Sequence, residues 1–315
     1  MRKAALILLS VICAVSLRAQ APSDGANAVL DSLAINYLAA IQEESVETKQ
    51  GECDFLIGTI RDSLLRRHLA VTLFNYYKDA PVMGDEAVAI HLYDKWFAPG
   101  LLHFSGEFEG LEAEMFCNMN RNTLLGMDAP VLKARRPCGR AVSVPAKGVT
   151  TLLWFYDTAC SKCRLEAKVL PAVLEKSVDF PITLVAFCAG KDRKAWREFR
   201  RSFKVDNRNV RMVHCWDPEV DSDYLRLYGV ISTPKMYMVA PEGSIIGRRL
   251  EVDALQQLLP VARSIHDIFT GGNGPSGRHA TLGNVRGRGP SVSLGGMSGE
   301  AANRIGGPVS SGSSN

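Results

Sequence analysis

Residues 152–166 read Leu-Leu-Trp-Phe-Tyr-Asp-Thr-Ala-Cys-Ser-Lys-Cys-Arg-Leu-Glu. The first five form an apolar, aromatic-rich run of strand length, and a helical pattern opens at Ser161, so Cys160 and Cys163 fall where a strand hands over to a helix. At such a junction the free amides of the first helical turn point at the first sulfur, and the helix dipole favours negative charge there. A thiol with an ordinary pKa of about 8.5 then ionises near neutral pH, and the thiolate is the attacking species. This makes Cys160 the nucleophile and Cys163, one turn later on the same face, the residue that resolves a mixed disulfide. Lys162 and Arg164 either add positive potential or are plain solvated charges.

Two blander readings compete. Half a zinc site would need two more ligands at suitable spacing, yet there is no second CxxC or paired-histidine motif, and His214 beside Cys215 stands alone. Two unrelated core cysteines would leave the strand-then-helix setting unexplained. No metal and no cofactor is expected.

Downstream, Ile231-Ser232-Thr233-Pro234 precedes the apolar run 235–239. Proline is tolerated at the first residue of a strand and excluded from its interior. A cis Thr233-Pro234 bond would turn residue 233 so that its N–H and C=O face the active sulfur, where an extended substrate could pair as an added strand. An ordinary trans proline is the alternative.

Beyond Gly126, strand runs at 150–156, 182–187, 211–215, 235–239 and 244–248 alternate with helical stretches at 161–176, 195–203 and 252–268. The last two strands close a hairpin over Pro241-Glu242-Gly243. Strand alternating with helix predicts an α/β sandwich with a mixed sheet. Between Ala28 and Asn122 the period is helical instead: Val29, Leu30, Leu33, Tyr37, Leu38 and Ile41 form one stripe, and Val88, Ala89, Leu92, Tyr93, Trp96 and Phe97 another. A third helix through Leu64, Leu69, Leu73 and Tyr77 stops near Pro81, and a weaker fourth passes through Leu111, Met115 and Met119. Four such helices read as a small all-α domain.

The ends are different in kind. Arg2 and Lys3, the apolar run Ala4 to Leu17, and small residues at Ala19 and Ala21 have the form of a Sec-type signal peptide cut after Ala19. The run is shorter than the ~20 apolar residues of a spanning helix. Ile12 before Cys13 does not fit a lipidation box, so lipid anchoring is not expected. From Thr270 the chain is rich in Gly and Ser with scattered Arg, a composition of disorder. The expected division is therefore signal peptide 1–19, helical domain 20–125, α/β domain 126–268 and tail 269–315.

Composition excludes little. A hydrophobic content of 46% with 22% charge is ordinary for a chain able to bury a core, and a formal charge of +4 is no case for nucleic acid. Of eight cysteines, Cys13 leaves with the signal, so Cys53, Cys117, Cys138, Cys160, Cys163, Cys188 and Cys215 remain. An odd number argues against a fully paired framework. Cys188 and Cys215 each end a predicted strand and would bond only if those strands are neighbours; buried free thiols are the expected state. Cys138 is a candidate extra exchange partner.

Taken together, Gly126 to Pro130, the 152–166 segment, Ser232-Thr233-Pro234 and the Pro241-Glu242-Gly243 hairpin resemble the TlpA/ResA branch of the thioredoxin-like superfamily over residues 126–268. The helical part is similar to extensions of exported Bacteroidetes proteins. The resemblance implies a periplasmic thiol-disulfide oxidoreductase with Cys160 attacking, Cys163 resolving and Pro234 in cis. Its partners would be protein disulfides or dithiols and a membrane or periplasmic electron-transfer protein. In that branch a glutamate three residues after the second cysteine tunes the pair, and Glu166 holds this place; an exposed first-turn helix acid is the plainer alternative. Thr233, Tyr156, Ser161 and Lys162 are the expected substrate contacts, and Cys160–Cys163 the expected redox disulfide.

Two positions depart from the pattern: Trp154 stands where a buried Asp or Asn is usual, and Ala159 where Trp is usual. Without the buried acid a proton must move through Glu166 or water. These departures are the best support for a redox-inactive interaction protein. A peroxiredoxin-like peroxidase is a further alternative, but Asp157 sits where that chemistry needs threonine.

Overall fold

A computed structural model describes residues 24–80 and 82–271. The expected signal peptide and nearly all of the expected tail lie outside these residues.

The helical part comes first: α1 (Asp24–Ala40), α2 (Val46–Thr59), α3 (Ser63–Lys78), α4 (Glu86–Leu92) continued by a π turn (Tyr93–Phe97), and α5 (Glu107–Asn120). Ser45 caps α2 by accepting the Thr48 N–H at 3.1 Å, and Asp62 caps α3 through the Leu64 and Leu65 N–H groups. Leu38, Leu56, Leu73, Phe74, Val88 and Cys117 meet in one core.

Five helices stand where four are expected, and the extra one is α2. Its buried face carries Lys49, Cys53, Leu56 and Ile57, so the apolar stripe is broken by a cation. Lys49 is 2% exposed and its ammonium sits 2.7 Å from the Asp85 carboxylate, a buried pair that makes the position internal.

The sheet follows. β1 (Leu132–Arg135) and β2 (Ala141–Val144) form a separate antiparallel hairpin with the exposed Cys138 in its turn, an element the strand pattern does not flag. The main sheet comprises β3 (Thr150–Tyr156), β4 (Ile182–Cys188), β5 (Val210–Trp216), β6 (Lys235–Val239) and β7 (Ile245–Arg248) in the order β5-β4-β3-β6-β7. β3, β4 and β5 are parallel; β6 runs against them, and β7, antiparallel to β6, runs with them again.

The helices of this part are α6 (Ser161–Ser177), α7 (Arg193–Ser202), α8 (Tyr224–Tyr228) and α9 (Val252–Thr270). The steps β3–α6–β4 and β4–α7–β5 progress in the same direction, and right-handed crossovers then put α6 and α7 on one face of the sheet. α9 joins them there, over a core containing Leu152, Trp154, Leu170, Trp196 and Leu258. The β1–β2 hairpin and α8 cover the other face, against Leu153, Phe155 and Tyr237.

β4 and β5 are indeed neighbours, but Cys188 lies opposite Trp216 and Cys215 opposite Phe187. This one-residue offset sends the two sulfurs to opposite faces of the sheet, and both are free thiols.

The helical part is fastened to the β7 edge. Gly126 donates to Ile245 and Ile245 to Met127, both at 2.8 Å, so the lead-in chain pairs with the outer strand and satisfies its edge. Arg248, 2% exposed, pairs with Glu86 of α4 and donates to Asn120 Oδ1 of α5 at 2.9 Å, an oxygen shared with Arg249. Gly229, at φ +58°, packs against the Met119 carbonyl, where a Cβ would collide with the oxygen.

Candidate active site

β3 is buried along its whole length, because strands and helices cover it on every side. Its carboxyl end delivers the turn Asp157–Cys160 to the start of α6. Asp157 Oδ1 accepts the Ala159 N–H at 2.8 Å, and the Arg164 guanidinium donates to the Thr158 and Ala159 carbonyls at 3.1 and 2.9 Å. Arg164 therefore clamps the turn that presents the sulfur.

Cys160 is the N-cap of α6, and its Sγ accepts the Cys163 N–H at 3.2 Å, the place an Asp or Ser oxygen usually takes. Its thiol donates to the Thr233 carbonyl at 3.3 Å. Partial burial alone would push this thiol up. Hydrogen bonds from the Cys163 side chain and amide, the Thr233 side chain and the Lys162 amide outweigh it and hold the thiol below its usual range. Cys163 is 2% exposed, and burial, with the proton it shares toward Cys160, pushes its thiol up to about 12. The two thiols therefore differ: one half-open and held low, the other sealed and pushed up.

Thr233 and Pro234 are half-buried beside Cys160, and the bond between them is cis. The Thr233 N–H makes no backbone hydrogen bond among the described residues. Ser161 and Lys162 are exposed next to the sulfur, but Lys162 is held by Glu251 at 2.8 Å in a solvent-facing ion pair. Tyr156 is a correction to the expected substrate contacts. It is fully buried, stacked on Trp154 at 4.6 Å, because both point to the face that α6 and α7 cover.

Glu166 is not the exposed helix acid of the plainer reading. It is 8% exposed, one turn beyond Cys163 on the buried face of α6, and its Oε2 accepts the Trp154 indole N–H at 3.0 Å. Burial raises its pKa; the Trp154 hydrogen bond and the Lys162 charge oppose this without cancelling it. Trp154 thus turns a donor from the central strand toward the helix acid. The signal was available in principle, since a tryptophan in a fully buried strand must find a partner for its N–H. Gly190 was also missed: a Cβ there would meet the Asp157 carboxylate, which would have to move off the Ala159 N–H that it accepts in the turn before Cys160.

Trp154→Phe removes the donor and leaves the Glu166 carboxylate unpaired. A raised carboxyl pKa contributes stability below the unfolded value, lost as pH rises through the folded one. Raising it further therefore costs most at neutral pH, about 1.5–3 kcal/mol, and least in acid. Urea unfolding near pH 7 and near pH 4 measures the difference, and adding Glu166→Gln removes its pH dependence.

No protein-family model matches this chain, and no curated protein matches it either. Among solved structures, a thioredoxin-like protein from Bacteroides caccae superposes with a TM-score of 0.56 over 74% of this chain and 83% of its own, at 14% identity. The fold is thioredoxin-like. Two shorter matches are the thioredoxin domain of a thiol-disulfide oxidoreductase from Bacteroides vulgatus (TM-score 0.38, 23% identity, 45% of this chain and 97% of that one) and a thiol:disulfide interchange protein from a Bacteroides species (TM-score 0.37, 21% identity, 50% and 97%). In this thioredoxin-like frame the CxxC pair, the cis-proline loop and Glu166 share one end of the sheet, at the start of α6.

Proposed function

We propose that the chain is a thiol-disulfide oxidoreductase of the TlpA/ResA kind, acting outside the cytoplasm on disulfides or dithiols of other proteins. The observation that carries the reading is the Cys160 sulfur capping α6, accepting the Cys163 amide at 3.2 Å, with its mate sealed one turn behind. In the reducing direction the Cys160 thiolate attacks one sulfur of a substrate disulfide, forming the mixed disulfide and expelling a substrate thiolate, which takes a proton. Cys163 gives up its proton and attacks Cys160 Sγ. This forms the Cys160–Cys163 disulfide and releases the second substrate thiol; two electrons pass to the substrate. Glu166, buried three residues on along the same helix, is the proposed base for that proton, and its raised pKa suits the task. Once Cys160 is ionised the Thr233 carbonyl loses its donor, so the Thr233 C=O and N–H are both open to an extended substrate strand.

Extracytoplasmic action rests on the leader read at residues 1–19, and among the described residues no helix is long and apolar enough to cross a membrane. The same reading divides the rest into a helical domain (20–125), a redox domain (126–268) and a tail (269–315). A second, electron-transferring protein would restore the starting state of the couple.

The test is the purified chain with insulin and dithiothreitol, together with a glutathione redox titration. A reversible two-electron couple confined to Cys160 and Cys163, with catalysed insulin reduction or dithiol oxidation, is expected. A chain with neither activity and no such couple would be a scaffold.

A further inference from the structure

The solvent face of α7 carries a cationic stripe, with the exposed Glu198 at its edge. At about 100° per residue, Arg200, Arg193, Arg197, Arg201 and Lys194 fall within an arc of roughly 120°, while Trp196, Phe199 and the following Phe203 turn inward. Arg193, Lys194, Arg197 and Arg201 are exposed. Among the described residues none of the five side chains joins an ion pair.

Helix stability explains only the C-terminal pair: Arg200 and Arg201 lie in the last turn, where the dipole favours cations, but Arg193 and Lys194 lie in the first turn, where it disfavours them, and cations one turn apart repel. Two of the guanidiniums are nevertheless set in place, Arg193 over the Trp216 ring and Arg200 over the Trp196 ring, both at 5.7 Å, with the two indoles stacked at 5.2 Å.

The stripe begins beside the candidate site. Ala189 donates to the Tyr156 carbonyl at 2.9 Å, and Gly190 lies against Asp157 in the turn that ends at Cys160. α6 and α7 both start at the carboxyl ends of adjacent parallel strands, so their first turns lie at the same rim of the sheet. A macromolecule that brings a disulfide to Cys160 covers this helix as well.

We infer that the α7 stripe is the electrostatic docking surface for an acidic segment of the protein partner that exchanges thiols with Cys160, an inference that rests on the oxidoreductase reading. Four of the five cations are arginine, whose fork matches carboxylates two oxygens at a time. A protein is favoured over a bilayer because no large apolar side chain is exposed on α7 itself, whereas stable adsorption to lipid combines cations with buried apolar area on the same helix. Charge of this kind acts mainly on the association rate and on partner choice.

The experiment uses the full chain and three fluorescent cystine peptides, identical except for flanks of four Glu, four Gln or four Lys. Binding is read by anisotropy and reduction by kcat/KM, at low ionic strength and again in about 0.5 M salt. Expected at low salt is the order Glu, Gln, Lys in both readouts, with at least a tenfold spread, collapsing in high salt. Replacing Arg193, Lys194, Arg197 and Arg201 together by glutamine should erase the order while leaving the Gln-flanked peptide and the melting temperature unchanged. Equal binding of the three peptides by the native chain overturns the docking surface, whether or not they are reduced. Preference for phosphatidylglycerol vesicles over the acidic peptide overturns it in favour of lipid. Ordered binding without any reduction supports the surface and counts instead against the redox reading.

Discussion

Cys160→Ser loses all measurable turnover in the insulin assay, a fall of more than about 10³-fold, because the hydroxyl left at the helix N-terminus does not ionise near neutral pH. Cys163→Ser behaves differently. It still attacks, cannot resolve, and accumulates mixed disulfides visible by mass spectrometry without reductant. The same asymmetry governs alkylation. Because the Cys160 thiol is held low, its reaction with iodoacetamide rises with pH and reaches half its plateau below the usual thiol range of about 8.5. Cys163, pushed up to about 12 and sealed, stays unmodified in the folded chain at neutral pH. Equal labelling of both sulfurs would contradict the division of roles. The two thiols titrate as a pair, so the measured midpoint belongs to the couple.

Arg248→Met lowers the unfolding free energy by about 3–5 kcal/mol, the largest stability effect expected of a single change outside the apolar cores. The cause is what stays behind: Glu86 keeps its charge inside the junction between α4, α5 and β7, with its cation gone. Asn120 retains only Arg249 as a partner for its oxygen. Removing both charges, as Arg248→Met with Glu86→Leu, recovers most of the loss, because the penalty lies in the orphaned carboxylate rather than in the absent pair. Urea midpoints at constant slope give the cycle. An additive double variant would show that the contact between the two side chains carries no energy.

The elements that position the candidate site were legible because they are the least ambiguous in the sequence. β3, β4 and β6 are central strands, buried on both faces and therefore nearly continuous apolar runs. Cys160, Cys163, Thr233 and Pro234 were singled out from them, and the fold brings all four together. What escaped notice depends on pairs that no periodicity records. α2 hides behind Lys49, internal only because Asp85 meets it from the turn before α4. Tyr156 was expected to touch substrate, but the alternation that buries Trp154 buries it too. Trp154 read as a departure from the family pattern; its donor role needed Glu166, a helix turn past the motif, to face inward. The β1–β2 hairpin is four residues a side, too short for alternation to register.

The offset that turns Cys188 and Cys215 away from each other sets how the molecule meets an oxidant. Each of those sulfurs looks into apolar packing on its own side of the sheet, with a layer of backbone between them that no side-chain rotation crosses. Oxidising equivalents that reach this part of the chain therefore find no second dithiol in that strand pair, since a bridge between the two sulfurs would first require the sheet to come apart.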